Sequence, residues 1–264
     1  MDLQLKDKIV VVTGPAKGMG AAISLGFARE GANLALLGRD TDAIEPVAGE
    51  ARAMGVQAEI FSCDVTDPDA VEGAIASVLA KFGGRIDILV NVAGGTGPIG
   101  KSGVETSARE FDEIIHLNMR GPFNLIRAVA PTMQRQRSGK IVNVGGTFGL
   151  RGRAMRMAYS SSKWGLRGIT KSFALELGPD NINVNLVAPG MVEGPRFRTK
   201  VVPQVAAQHG ISEDEAAELH ASDYALARIS TDEDIAAATL FLASEQSRQI
   251  TGVDLPVDGG WAAL

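Results

Sequence analysis

The sequence predicts an α/β protein with a parallel β-sheet that is covered by helices on both faces. Short runs of Val, Ile and Leu alternate along the 264 residues with longer segments of helical periodicity. These runs lack the polar–apolar alternation of a half-exposed strand, so both faces of each strand are expected to be covered. Repeated strand–helix units make successive strands parallel. No internal repeat or interdomain linker divides the chain.

Seven apolar runs are predicted as strands, in chain order 8–13, 33–37, 58–62, 86–92, 140–144, 183–187 and 253–257. Seven periodic segments between them are predicted as helices: 19–30, 42–54, 68–82, 108–119, 122–135, 159–177 and 232–243. Pro68 and Pro122 fit the first turn of a helix, where an N–H has no partner to lose. Residues 1–264 are therefore expected to form one doubly wound domain.

One segment interrupts this alternation. Residues 189–230 follow the sixth predicted strand and contain two short helical patterns before the last helix. Open α/β sheets bind ligands beyond the carboxyl ends of their strands, and a connection this long is usually functional. We expect this excursion to border a substrate pocket.

Composition excludes several classes of protein. The net charge of −5 and pI of about 5.3 argue against a nucleic-acid binder. The single cysteine, Cys63, excludes an internal disulfide, fits a reducing compartment and is expected to be a buried, inert residue. The chain shows no signal-peptide pattern or membrane-length apolar run, so we expect a cytoplasmic protein with no membrane partner. Its three histidines lack metal-like spacing, so no metal is expected.

A glycine-rich loop, VVTGPAKGMG, follows the first strand and opens the first helix. Gly14, Gly18 and Gly20 permit a tight turn and let the backbone approach a pyrophosphate, which the helix N-terminus stabilises. No Gly-Lys-Ser/Thr follows, so this is not a loop that cradles nucleoside triphosphates. It predicts a dinucleotide site.

Tyr159 and Lys163 lie four residues apart and share one face of a predicted helix. A lysine beside a tyrosine can lower the pKa of the phenol, which makes the phenol a usable acid or base. The alternative is a tyrosine that is only packed on an amphipathic helix. The neighbouring dinucleotide motif favours the catalytic interpretation.

Four motifs in this order resemble the short-chain dehydrogenase/reductase family: TGPAKGMG, Asn91-Val92-Ala93-Gly94, Tyr159-x3-Lys163 and Pro189-Gly190. The resemblance covers essentially the whole chain, down to VDGG near its end. It implies a Rossmann-type sheet of seven parallel strands, a nicotinamide cofactor, and hydride transfer between an alcohol and a carbonyl.

The resemblance also implies roles for individual residues. Tyr159 would be the general acid/base, Lys163 would lower its pKa and hold the nicotinamide ribose, and Asn118 would support a proton relay behind the lysine. Asp64 and Val65 would flank the adenine, and Asn91, Ala93 and Gly94 would line the ribose side. The cofactor site would be completed by Gly14, Lys17, Gly18, Met19, Gly20, Arg39, Pro189, Gly190 and Val192.

The second strand ends Leu37-Gly38-Arg39-Asp40, with glycine where an NAD-selecting acid would stand. Arg39, together with Lys17 of the glycine loop, suits the 2′-phosphate of NADP. We therefore expect NADP(H) to be favoured over NAD(H). In the alternative, both cations are solvated, and Asp40 turns inward and selects NAD.

The chain departs from the family pattern at a catalytic position. Where the family usually has a serine that hydrogen-bonds the substrate oxygen, this chain has Gly146. We expect Thr147 to act as a partial substitute, or else the substrate to supply its own hydrogen bond. Loss of such a donor typically slows a reaction by about 10²–10³. In addition, Gly194 stands near the place of a threonine that often contacts the carboxamide.

Cations cluster in the two segments that the resemblance places beside the substrate. The first segment contains Arg151, Arg153 and Arg156, and the second contains Arg196, Arg198 and Lys200. In an acidic protein this grouping suggests a substrate with a carboxylate, sulfonate or phosphate. In the alternative, these side chains are solvated or make subunit contacts.

The predicted helix 122–135 is apolar on two faces and so needs a second partner. In the resembled family the corresponding helix builds a dimer interface, so a homodimer or homotetramer is expected. The favoured function is NADP-preferring interconversion of a secondary alcohol and a ketone. The rival is a nicotinamide-nucleotide-binding protein with little turnover, such as a redox sensor. The length disfavours a third option, a sugar-nucleotide epimerase or dehydratase.

Overall fold

A computed structural model describes residues 1–263. Seven strands form one parallel sheet in the order β3-β2-β1-β4-β5-β6-β7. They are β1 (Ile9–Thr13), β2 (Asn33–Gly38), β3 (Ala58–Ser62), β4 (Ile88–Asn91), β5 (Gly139–Val144), β6 (Ile182–Pro189) and β7 (Asp254–Val257). The predicted doubly wound α/β class is confirmed.

The α-helices lie between the strands, as predicted. They are α1 (Gly18–Arg29), α2 (Thr41–Ala53), α3 (Pro68–Lys81), α4 (Ala108–Ile115), α5 (Gly121–Gln136), α6 (Met157–Leu177), α7 (Val202–His209), α8 (Glu213–Ser222) and α9 (Asp232–Ala243). Most bounds differ from the predicted ones by one or two residues, as helix ends usually do.

The fourth strand is shorter than the predicted segment 86–92. Side-chain oxygens, rather than a neighbouring strand, accept hydrogen bonds from the backbone N–H groups at both of its ends. The N–H of Ile86 donates to the Gln136 side chain at 3.1 Å. At the other end, the N–H groups of Val92 and Ala93 both donate to the hydroxyl of Thr13, each at 3.1 Å. The chain therefore leaves the sheet after Asn91 and turns towards the glycine loop.

The core has two layers because alternate strand residues point to opposite faces of the sheet. On one face Val10, Val12 and Leu36 pack against α1, α2 and α9. On the other face the neighbouring residues Val11 and Leu37 pack under α3, α5 and α6. Full burial of each such side chain contributes about 1.5–3 kcal/mol. This packing fixes the strand ends that carry the candidate site.

The predicted helix 108–119 is α-helical only to Ile115. Residues His116–Arg120 form a π turn that joins α4 to α5. Such turns are rare and are frequently found at functional sites, because the extra residue re-aims a side chain. Here the turn contains the buried Asn118.

The excursion after β6 is a folded unit with its ends held together. A bridge between Val192 and Ser230 closes its base. It contains a second π turn, Phe197–Val201, followed by α7 and α8. Phe197 is buried in a small apolar core of its own together with Val202 and Ala216. The excursion is therefore a folded segment with its own small apolar core rather than an irregular loop.

Candidate active site

The glycine loop closes against the end of β4 so tightly that it has no room for side chains. A Cβ on Gly20 would lie 2.1 Å from the carbonyl oxygen of Gly14, and a Cβ on Gly14 would lie 3.0 Å from the Ala93 backbone. The N-terminus of α1 has no side-chain cap and no acidic residue in its first turn. Its free N–H groups and helix dipole therefore suit a pyrophosphate. These residues fit a dinucleotide cofactor.

The structure orients the acidic groups near the predicted adenosine end. The Asp40 carboxylate accepts from the N–H of Ala43 at 3.0 Å and caps α2, so it is engaged by the protein itself. The backbone N–H and hydroxyl of Thr66 hold the pKa of Asp64 below its usual value, with a smaller contribution from the charge of Arg39. Arg39 is exposed. An exposed cation thus borders the predicted adenine contact.

Asn91 is predicted to line the cofactor, but its side chain is engaged within the sheet. Its amide donates to the Asn143 side chain on β5 at 2.9 Å, and Asn143 in turn donates to Thr170 on α6 at 2.9 Å. All three residues are buried. This chain of hydrogen bonds joins β4, β5 and α6. The Asn91 side chain therefore positions the strand ends.

Tyr159 and Lys163 lie in the first turns of α6, at the carboxyl ends of β5 and β6. Lys163 is buried and its Nζ donates to the carbonyl of Val144 at 3.1 Å. Burial lowers the pKa of Lys163 to about 8. Gly94 lies beside this ammonium, since a Cβ there would be 3.8 Å from Nζ. The structure thus brings the predicted tyrosine, lysine and Gly94 together.

The pKa of Tyr159 differs from the simple expectation of a phenol made acidic by its lysine. Burial raises the pKa of Tyr159, and the charges of Arg156 and Arg196 partly offset that rise. Lys163 Nζ lies 5.6 Å from the centre of the phenol ring. The guanidinium groups of Arg156 and Arg196 thus act on the phenol in addition to the predicted lysine contact.

Asn118 holds the loop after β4 against α6. Its Oδ1 accepts from the N–H of Gly95 at 2.8 Å, and its Nδ2 donates to the Gly95 carbonyl and the Ser162 hydroxyl, each at 3.0 Å. A Cβ on Gly94 would lie 3.1 Å from the same Oδ1. The predicted relay residue thus contacts the loop beside Lys163.

Gly146 occupies the position from which a side chain would meet the phenol. A Cβ there would lie 3.1 Å from the Tyr159 hydroxyl and 3.9 Å from the Pro189 carbonyl oxygen. Thr147 is buried and begins the 3₁₀ turn Thr147–Gly149. Within residues 1–263, no hydrogen bond joins the Thr147 hydroxyl to Tyr159.

Four of the five arginines in the two cationic segments separate into two pairs. Arg156 is buried, its guanidinium lies 4.8 Å from the centre of the Tyr159 ring, and the exposed Arg196 is near enough to affect the pKa of both residues. By contrast, Arg151 stacks on Trp261 at 5.0 Å. Arg153 faces the excursion, where its charge lowers the pKa of Tyr224 against the larger effect of burial. Only the first pair borders the phenol.

Outside these pairs, Arg198 is engaged by Glu193 at 2.8 and 2.9 Å. The remaining predicted cofactor residues lie beyond β6. Gly190 packs so closely that a Cβ would lie 2.8 Å from that of Asp258, and Val192 forms the bridge at the base of the excursion. A Cβ added at Gly194 would meet no other atom within 4 Å.

An aromatic wall completes the site, and the sequence did not predict it. The Phe148 ring meets the Tyr159 ring edge-on at 6.1 Å, and Trp261 lies 5.5 Å from Phe148. Phe148 is two residues beyond Gly146, so its proximity to the motif was available as a signal. Trp261 comes from the far end of the chain, and only the folded structure brings it here.

In residues 1–263, no cluster of three or more His, Cys, Asp or Glu side chains has a geometry that could hold a metal ion. Among the same residues, no helix has the length and apolar character needed to cross a membrane. Cys63 is buried, and burial raises its pKa to about 11.

Comparison with known proteins shows the family to which the chain belongs. Residues 14–262 match the family model described as enoyl-(acyl carrier protein) reductase. The 3-oxoacyl-[acyl-carrier-protein] reductase FabG of Thermotoga maritima is 35% identical over 98% of this chain and 99% of its own length. The short-chain reductase protein NovJ of Streptomyces niveus is 33% identical over 97% of this chain and 94% of its own.

Solved structures show the same fold. NAD⁺-bound xylitol dehydrogenase superposes with a TM-score of 0.89 at 32% identity and covers 97% of this chain and 100% of its own. Actinorhodin polyketide ketoreductase with NADPH has a TM-score of 0.89 at 28% identity and covers 98% of each chain. On the sequence matches, the shared sheet and the site geometry, this chain is an oxidoreductase of the short-chain dehydrogenase/reductase family.

Proposed function

We propose that this protein interconverts a secondary alcohol and a ketone with a nicotinamide cofactor, with NADP(H) favoured. The observation that carries the proposal is the position of the Tyr159 hydroxyl. It lies at the carboxyl ends of β5 and β6, where a Cβ on Gly146 would be 3.1 Å away, on the same helix as the buried Lys163. The relatives named ketoreductase or 3-oxoacyl reductase support this reaction class.

Each residue of the site has a role in this proposal. A bound nicotinamide would supply or accept the hydride. Tyr159 would give its proton to the ketone oxygen in reduction and take it back in oxidation. Its raised pKa keeps the phenol protonated at neutral pH, which suits reduction. Lys163 would hold the ribose beside Gly94, and Asn118 would keep that loop in place.

Because Gly146 stands where the family usually has a serine, the substrate oxygen needs a hydrogen-bond donor from another residue. We propose Thr147 as a partial substitute, acting when substrate binding shifts the short 3₁₀ turn that it begins. The cations around Tyr159 further favour a substrate that carries a negative charge.

The preference for NADP rests on the second strand. Asp40 caps α2 through Oδ1, which supports a structural role for it rather than that of the acid that would select NAD. Arg39 is exposed and acts on Asp64. Because charged hydrogen bonds contribute about 1.5–3 kcal/mol, Arg39→Gln is expected to reduce kcat/KM for NADPH about tenfold or more. The value for NADH should stay nearly unchanged, and an equal loss with both cofactors would contradict the preference.

The test of the reaction is a screen of neutral and anionic ketones and secondary alcohols with NADPH, NADH and their oxidised forms, followed by nicotinamide absorbance. Tyr159→Phe is run beside the wild type. Turnover that falls at least a hundredfold in the variant supports the proposal. Turnover that survives the change would overturn the role of Tyr159.

One observation favours a second candidate, a nucleotide-binding protein with little turnover. Gly146 provides no hydroxyl at the position nearest the phenol. Under this alternative, the wild type binds NADPH in a calorimetric titration but reduces no ketone in the panel. The same titration on Tyr159→Phe would then give unchanged affinity.

A further inference from the structure

The strongest unexplained feature near the phenol is a buried charge without a counter-charge. Arg156 is only 7% exposed. Its Nη2 donates to the Thr96 carbonyl at 3.0 Å, while its buried Nε makes no hydrogen bond. Burial is the main effect that lowers its pKa, and no carboxylate opposes this. An unpaired buried cation is costly, so proteins rarely retain one without a partner.

A second cation increases that cost. Arg196 lies close enough to Arg156 for the two charges to repel each other. The Arg156 guanidinium lies 5.9 Å from the centre of the Phe148 ring and 4.8 Å from that of the Tyr159 ring, and these contacts limit its freedom to turn away. Two like charges held beside an uncharged phenol are stabilised by an anion that bridges them.

The position of Arg156 beside Tyr159 limits how far the anionic group of a substrate can lie from its ketone. The guanidinium of Arg156 lies over the ring whose hydroxyl would exchange the proton. An anion on Arg156 is therefore within a few bonds of the reacting carbon. A long neutral acyl chain would leave both arginines unpaired, whereas a short oxo acid would pair them and present its ketone to Tyr159.

We propose that the substrate is a short 2- or 3-oxo acid, or the matching hydroxy acid, whose carboxylate binds Arg156 and is bridged to Arg196. This deepens the proposed function and rests on it. In reduction, the ketone carbon gains a hydride from the nicotinamide and its oxygen gains the Tyr159 proton. The carboxylate takes no part in the bond changes. Arg156 and Arg196 are then specificity residues.

The test compares matched acids and esters: pyruvate and 3-oxobutanoate against their methyl esters, with NADPH. The wild type should show a kcat/KM at least a hundredfold higher for one of the acids than for its ester. Arg156→Gln should lower kcat/KM for that acid about a hundredfold, mainly through KM, and lower the ester value by a factor at least tenfold smaller, through kcat, because the phenol loses a neighbouring cation. Arg196→Gln, which changes an exposed residue and should leave folding intact, should lower the acid value by a smaller factor.

Arg109→Gln provides the matched control, because Arg109 is an exposed arginine on α4 paired with Glu113. A wild type that reduces the esters as well as the acids would overturn this inference while leaving the proposed function intact. Equal losses for acid and ester in Arg156→Gln would also overturn it, since Arg156 would then act only through the phenol and not on a carboxylate.

Binding distinguishes the inference from failure of the reaction itself. Calorimetric titration of 3-hydroxybutanoate and lactate into the NADP⁺ complex needs no turnover. Binding of either acid that is lost in Arg156→Gln and weakened in Arg196→Gln supports the anion site even if no ketone is reduced. Absence of acid binding in the wild type, or acid binding unaffected by both substitutions, overturns it.

Discussion

At the scale of single residues, Gly146 is the position where this chain departs most directly from its family. Its backbone is extended, with φ of 165°, so any residue can adopt the conformation. A new Cβ would meet the Tyr159 hydroxyl at 3.1 Å, which a shift of a few tenths of an ångström relieves. The missing hydroxyl can therefore be restored without rebuilding the loop.

Gly146→Ser should accelerate reduction of a neutral ketone about tenfold or more, because its hydroxyl can donate to the substrate oxygen. Gly146→Ala is the matched control, since it adds the same Cβ without the hydroxyl. Steady-state kcat/KM for all three proteins is the measurement. Equal rates for the serine and alanine variants would show that the hydroxyl is not what limits the enzyme.

Burial of the charged Lys163 in the candidate active site lowers the stability of the folded protein. Burial lowers its pKa from 10.5 to about 8. Below pH 8 the lysine is charged in both folded and unfolded states, so the full cost of burying the charge is present. As pH rises from 8 to 10.5, the unfolded chain holds the proton that the folded protein has lost. Stability from this group therefore rises across that range.

Lys163→Met should abolish turnover but stabilise the protein without cofactor by on the order of 2 kcal/mol at pH 7. The pKa change corresponds to about 3 kcal/mol, and loss of the hydrogen bond to Val144 offsets about 1 kcal/mol of that gain. Urea unfolding at pH 7 and 9.5 measures the effect. A variant that keeps the wild-type rise in stability between these pH values would contradict the assignment.

At the scale of elements, the π turn and the loop after β4 form one unit. Asn118 makes three hydrogen bonds from the turn, two to the backbone of Gly95 and one to Ser162 on α6. A regular α-helix continued through this region would aim the side chain elsewhere. The irregular turn thus connects the cofactor side of the site to the helix that carries Tyr159.

Asn118→Ala should destabilise the protein by about 3 kcal/mol and lower kcat, because it leaves the partly buried backbone groups of Gly95 and the buried Ser162 hydroxyl without these partners. Asn124→Ala is a useful comparison, since that buried asparagine on α5 makes one hydrogen bond, to the Val65 carbonyl at 3.0 Å. Its cost should be nearer 1 kcal/mol. Urea unfolding measures both, and equal losses would refute the special role of the π turn.

At the scale of the whole molecule, apolar side chains remain exposed on α5 and α6. Phe123 is 41% exposed, Trp164 is 49% exposed and Leu175 is 82% exposed. Phe123 also packs on Phe173 of the neighbouring helix, with ring centres 6.3 Å apart. Large apolar groups exposed on two adjacent helices are typical of a subunit interface. We therefore expect a homo-oligomer built through these helices.

Leu175→Glu and Trp164→Glu should each shift the protein towards smaller species, because a buried carboxylate without a partner is strongly unfavourable. Sedimentation velocity at several concentrations measures the distribution. Val104→Glu is the control, since Val104 is 97% exposed and lies on the loop after β4. An unchanged distribution in both α6 variants would place the interface elsewhere or exclude it.

The sequence by itself predicted the elements and their class. Strand and helix periods are local properties, and the Val-rich runs such as 8–13 are typical of strands covered on both faces. The glycine loop and the Tyr159–Lys163 pair were also predictable, because each motif lies within one turn or one strand–helix unit. The family resemblance followed from the order of these motifs.

Tertiary structure decided which polar side chains remain free to bind a ligand and which bond within the protein. Asp40 caps a helix, the Asn91 side chain bonds to Asn143, and Arg156 is buried although three similar arginines around it are exposed. The Arg151 and Trp261 contact joins positions 110 residues apart. Burial and pairing depend on which surfaces meet after folding, and no local pattern encodes that. The same packing decides which charges remain without a partner, and with them the substrate we propose.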